Sequence, residues 1–297
     1  MFRGVLAAVP TPFSADGLSL DLSKIQPLVD RLADANCTGV VVTGTTGEFT
    51  SLTPEEHKAV IRAYVAAVGD RPLNVVAGFG ALNTRAAEEM AQWCAQTRGI
   101  DAIMVVPPFY ERLSFEALQF FLCAVSTACG SLDIVYYHVP SATGLPLTAD
   151  QMRELAKIPR MRYIKDTSGN APHAIDHVCN TAAGQRMAHF NGTDTFTFAA
   201  LAMGAEGVAW GVASVAPYES VALYQALVEE QDLKQAKEIW SLLYPIAACL
   251  ESVNYPAGVK AALDVLGLPM GPVRAPTLPL SGDDVARLKG VVARVKK

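Results

Sequence analysis

The chain has 297 residues, 51% of them hydrophobic, and a formal net charge of −5. That acidity excludes a basic nucleic-acid surface, and no apolar run reaches the ~18 residues of a membrane span. Six scattered cysteines (Cys37, Cys94, Cys123, Cys129, Cys179 and Cys249) form no CxxC pair and read as reduced core thiols. With no export signal over Met1–Pro12, they point to the cytoplasm.

Short β-branched and apolar runs recur at Val5–Val9, Val40–Thr43, Asn74–Ala77, Ala102–Val106, Ile134–Tyr137, Arg162–Lys165, Ala188–Asn191 and Val208–Trp210. Most are apolar throughout, the pattern of parallel strands covered on both faces. Helical periodicity fills Leu22–Ala35, Thr84–Thr97, Ser114–Ala128, Thr148–Lys157 and Phe196–Met203. Thr53-Pro54-Glu55-Glu56 is a capping box with proline at the first helical position, opening a helix to about Val68. Strands alternating with helices over residues 1–216 predict an α/β fold, a (β/α)₈ TIM barrel. Residues 217–297 read as a C-terminal helical extension packed on it, with helices at Val221–Glu230, Leu233–Leu250, Tyr255–Leu266 and from Asp283. A doubly wound sheet would want a glycine-rich nucleotide turn, and Gly78-Phe79-Gly80 is not completed as one.

In such a barrel, reactive groups sit at the C-terminal strand ends. The second strand ends in Gly44-Thr45-Thr46-Gly47-Glu48, whose hydroxyls and backbone could hold a carboxylate, though alone it reads equally as a tight structural turn. The fourth and fifth lead into Tyr110 and Tyr137, each of which alone would pass for a core ring. The sixth carries Lys165, and the seventh ends in Gly192-Thr193-Asp194. A lone strand-end lysine is ordinarily solvated, whereas a buried lysine gives up its proton more easily and its amine attacks carbonyls. A carboxylate seat, a proton-relaying tyrosine and a lysine at one mouth suit a Schiff base with a small-molecule 2-keto acid. The only closely spaced histidines, His173 and His177, lack an HExxH motif, so neither a metal nor any cofactor beyond the covalent Schiff base is expected.

GTTGE at 44–48, YxVPSxTG at 137–144 and IKD around Lys165 together resemble the dihydrodipicolinate synthase / N-acetylneuraminate lyase superfamily of class I, pyruvate-type lyases, over nearly the whole chain. The resemblance implies that Lys165 is the Schiff-base lysine and Tyr137 the proton-handling tyrosine. It implies that Thr45 links Tyr137 to a second tyrosine, Tyr110, which reaches into a neighbouring subunit's site. Thr46 and Gly47 would hold the keto-acid carboxylate, with Gly192, Asp194 and Ala209 completing the substrate-binding set. A homotetramer, a dimer of dimers, is implied too.

Departures bear on the substrate. Ala142 stands where the biosynthetic synthases of the superfamily carry an arginine for the aldehyde carboxylate. Phe49, Leu82 and Phe109 make an apolar wall where their lysine-feedback pocket is polar, although His57 matches one residue of it. Asp194 is followed by Thr195, not by the glutamate of sialic acid lyases, and Trp210 is expected at the mouth near the eighth strand. The expected function is a Schiff-base aldolase or dehydratase acting on pyruvate or a 2-keto-3-deoxy acid. The alternative is a dihydrodipicolinate synthase condensing pyruvate with aspartate semialdehyde. A non-catalytic carboxylate-binding barrel is the third reading, and it leaves the joint presence of Lys165, Tyr137 and Thr45 unexplained.

Overall fold

The computed structural model describes residues 2–179 and 187–296. Eight parallel strands close into a barrel in chain order. They are β1 (Gly4–Ala8), β2 (Gly39–Val42), β3 (Asn74–Gly80), β4 (Ala102–Val106), β5 (Asp133–His138), β6 (Met161–Asp166), β7 (Ala188–Asn191) and β8 (Gly207–Trp210). Successive side chains on a strand point to opposite faces, so each apolar run supplies two cores at once. Leu6, Val41, Val76, Met104, Val135, Tyr137, Tyr163 and Ala209 belong to the inner core. Their neighbours pack outward against the helices. Phe2 stacks on Tyr163 with ring centroids 4.1 Å apart, and its N–H donates to the Tyr163 hydroxyl at 2.9 Å.

That alternation corrects one expectation. Ala209 faces the interior, so Trp210 faces the helices and is 1% exposed, which removes it from the mouth. The third strand runs on past Ala77 to take in Gly78 and Gly80. A Cβ at Gly80 would lie 2.7 Å from the Phe49 ring, so close packing demands the glycine.

The Thr53 capping box forms, with the Glu56 N–H donating to Thr53 Oγ1 at 3.2 Å and the Thr53 N–H to Glu56 Oε2 at 2.9 Å. Such a cap is worth about 1 kcal/mol. Helix Ala171–Cys179 was not legible in the apolar pattern because one of its two buried positions is His177. Short helices Pro140–Thr143 and Val212–Val215 also follow strand ends. Four cysteines are buried, but Cys123 and Cys179 are exposed, against the core placement expected of them. Among the described residues no helix is long and apolar enough to cross a membrane.

The C-terminal segment clamps the barrel mouth. Lys260 pairs with Glu48 at 2.6 Å, both side chains being buried. Arg274 grips the Glu56 carboxylate with two bonds of 2.8 Å. The Tyr255 hydroxyl accepts the Gly211 N–H at 2.8 Å.

Candidate active site

Lys165 and Tyr137 lie opposite each other in the β5–β6 register, both on the inner face. Each is 5% exposed, and Lys165 Nζ stands 4.5 Å from the centroid of the Tyr137 ring. Gly192 makes room for the lysine: a Cβ there would lie 2.5 Å from Thr167 Cγ2 and 2.8 Å from Lys165 Cε.

The turn after β2 is a backbone device. Thr43 and Glu48 both take φ of 53°, a left-handed conformation that costs a non-glycine residue energy. A Cβ at Gly47 would lie 2.7 Å from Thr43 Cα, so the turn closes only over a glycine. Thr11 Oγ1 donates to the Gly47 carbonyl at 2.6 Å. Among the described residues the N–H groups of Thr45, Thr46 and Gly47 meet no protein acceptor. Consecutive unspent backbone donors in a turn can form an anion-binding nest. Thr46 is buried within it, whereas Thr45 is exposed.

Glu48 turns away from the nest. Its carboxylate meets Lys260 at 2.6 Å and accepts the Arg274 N–H at 2.9 Å. Burial pulls the Lys260 pKa down to about 8, against the upward pull of Glu48. Between these groups and the ends of β4 and β5 lies a cavity of about 430 Å³, lined by Thr45, Phe49, Phe109, Tyr137 and Ala142 among others.

Asp194, after β7, is buried and accepts a short hydrogen bond from the Tyr255 hydroxyl. Burial pushes its carboxyl up to about 7, with Glu251 adding to the rise while Tyr255 and Lys165 oppose it. Ala209 is paired with Leu6 of β1 in the barrel interior.

Two expected contacts are not made within the chain. The Thr45 hydroxyl makes no hydrogen bond to Tyr137 among the described residues, although Thr45, an exposed residue, lines the same cavity. Tyr110 is 87% exposed and lies apart, in a groove with Leu82 and Phe120. Leu82 therefore shares no wall with Phe49 and Phe109, and His57 is spent on the Gly78 carbonyl at 2.9 Å.

Sequence reasoning missed the pair directly behind the lysine. His138 and Asp166 follow Tyr137 and Lys165, pair in the same register and face outward, with His138 Nδ1 2.8 Å from Asp166 Oδ1. The strand period of two was the available signal. Ligand atoms of His138, Asp166 and His173 lie within 4.8 Å of one another, close enough to be asked about a metal. His138 is already committed: the Leu147 N–H donates to Nε2 at 3.3 Å, which puts its proton on Nδ1, facing Asp166.

Comparison with known proteins adds to this geometry. Residues 1–294 match the profile of the Dihydrodipicolinate synthetase family. A 4-hydroxy-tetrahydrodipicolinate synthase of Methanothrix thermoacetophila is 35% identical over 295 residues, 99% of this chain and 97% of its own. The crystal structure of dihydrodipicolinate synthase DapA-2 from Bacillus anthracis superposes with a TM-score of 0.92 at 30% identity, covering 100% of this chain and 99% of that one. The chloride-inhibited dihydrodipicolinate synthase of Acinetobacter baumannii, solved in complex with pyruvate, gives 0.92 at 29% identity, covering 99% and 98%.

Proposed function

We propose how this chain works from one premise: it belongs to the dihydrodipicolinate synthetase family and is a lyase of that family. The Lys165 amine attacks the ketone of pyruvate, or of a longer 2-keto acid, and loss of water leaves an iminium. The iminium draws electrons from the adjacent carbon, and loss of a proton there gives an enamine. Tyr137 carries protons to and from these intermediates. The nest of Thr46 and Gly47 holds the substrate carboxylate, and Gly192 leaves the lysine its space. Asp194 and Ala209 bound the same interior. No separate cofactor enters this scheme, since the electron sink is the adduct on Lys165. We read the protein as cytoplasmic.

The observation that carries the reading is a buried lysine with its amine over the Tyr137 ring and no hydrogen-bond or ion-pair partner among the described residues. Relatives that share the fold include one solved with pyruvate, which supports the same first substrate here. The test is to incubate the protein with pyruvate, reduce with borohydride and weigh it. A mass gain that disappears in Lys165→Ala supports the scheme, and no gain with any 2-keto acid sinks it in favour of a non-catalytic carboxylate binder.

The product chemistry is an aldol reaction or a dehydration on a 2-keto-3-deoxy acid. Condensation of pyruvate with aspartate semialdehyde is the second reading, favoured by the name of the Methanothrix relative and opposed by Ala142. A homotetramer fits the exposed Tyr110, Leu82 and Phe120, whose groove would receive a neighbouring copy.

A further inference from the structure

The cavity beside Tyr137 has no charge left to offer a ligand. Two of its lining side chains, Glu48 and Arg274, carry formal charge. Glu48 is neutralised by Lys260 at 2.6 Å and also takes the Arg274 N–H at 2.9 Å. An arginine has five side-chain N–H donors. All those of Arg274 end on protein: Nε on the Gly17 carbonyl, Nη1 on Ser51 O and Glu56 Oε2, Nη2 on Leu18 O and Glu56 Oε1. Of the cations beside this wall, Lys260 is spent on Glu48 and Lys165 is taken up in the Schiff base, while Arg112 runs past Gly144 but is exposed and forms no part of the cavity wall.

The wall facing the ends of β4 and β5 is hydrocarbon, from Phe49, Val106, Phe109, Val139, Ala142 and Pro276. The polar groups among the rest, on Thr45, Thr50, Ser51, Tyr137, Asn254 and Thr277, are hydroxyls and an amide with no formal charge. The Phe49 and Phe109 rings stand edge to face, with centroids 6.1 Å apart and planes at 89°. A carboxylate carried in there would shed its water and find no cation. An apolar ring would instead find the edge and face of two others.

Resting on the Schiff-base reading of Lys165, the geometry points to an acceptor aldehyde with an uncharged, apolar tail of aromatic size. The pyruvate iminium loses a methyl proton to become the enamine. Its terminal carbon then forms a carbon–carbon bond to the aldehyde carbon, and the aldehyde oxygen takes up a proton and becomes a hydroxyl. Water cleaves the new iminium, which returns the Lys165 amine and releases a 4-hydroxy-2-keto acid. Run backwards, the same steps split such an acid into pyruvate and the aldehyde.

Two measurements on the intact protein separate this inference from the reading beneath it. Borohydride trapping with pyruvate alone reports the Schiff base. Initial rates of pyruvate consumption with benzaldehyde and with succinic semialdehyde report the acceptor. An adduct should form, and kcat/KM for benzaldehyde should exceed that for the semialdehyde by about 10- to 100-fold, the value of one missing charge-assisted contact. Ala142→Arg supplies a cation at the wall and should move that ratio at least about tenfold toward the semialdehyde. An adduct with benzaldehyde unused, or with a ratio at or below one, overturns the apolar acceptor and leaves the Schiff base standing. An unmoved ratio in a folded Ala142→Arg protein overturns the electrostatic account, and the absence of any adduct overturns both levels.

Discussion

The two faces of the β5–β6 pair carry the same kind of residue under opposite conditions. On the outer face Asp166 accepts from His138 at 2.8 Å, from the Ser168 N–H at 2.9 Å and from Ser168 Oγ at 3.1 Å. Burial works against its charge, yet the His138 hydrogen bond, the nearby His189 and His138 rings and the Ser168 N–H hold its carboxyl well below the usual range. On the inner face Lys165 and Tyr137 are as well buried, and neither side chain has a hydrogen-bond partner among the described residues. Satisfied buried polar groups hold a structure together, and unsatisfied ones are available for chemistry. Strand alternation lets one short segment supply both, the outer pair fixing the register in which the inner pair meets.

Breaking the inner face should have the largest effect. Lys165→Ala should abolish both the trapped pyruvate adduct and turnover, read by mass and by pyruvate consumption. Tyr137→Phe should lower turnover by roughly 10²–10⁴-fold; near-full activity would take Tyr137 out of the mechanism. Breaking the outer face should act first on stability. Asp166→Asn should cost about 1–3 kcal/mol in denaturant unfolding, the range for losing hydrogen bonds to a buried charged group. An unchanged midpoint would show that the outer pair does not brace the strands.

A finer test uses pH. Asp194 has a folded value of about 7, above the ordinary carboxyl value of 3.8. Between those two pH values the folded state therefore binds more protons than the unfolded one, and this residue's contribution to stability falls as pH rises. Asp194→Asn should gain on the parent over that window and hold a constant difference above about pH 7, read as unfolding free energy against pH. Asp166 runs the other way: its contribution is complete above the ordinary carboxyl range and is lost only in stronger acid.

The strands were legible because parallel strands covered on both faces are continuously apolar, and Lys165 and Tyr137 stood out because they interrupt such runs at their ends. Trp210 was misplaced because the face of a side chain depends on strand register, which an apolar run does not reveal. Helix Ala171–Cys179 escaped because a buried histidine takes an apolar position on its packed side. The bracing of the nest escaped for another reason. Arg274 meets Glu48 across a separation of 226 residues and Glu56 across 218, and no local pattern marks such partners.

That long reach has a consequence for how the protein is made. On the ribosome, β8 is complete at Trp210, so all the staves of the barrel exist well before Arg274 emerges. Until Lys260 and then Arg274 arrive, Glu48 and Glu56 have no cation from the far end of the chain, and the turn that should seat an anion is held in its left-handed bend only by earlier parts of the chain such as Thr11. A nascent polypeptide stalled just past the last strand would thus own its lysine and tyrosine yet lack a finished entrance, and synthesis itself would delay the reactive amine's first substrate.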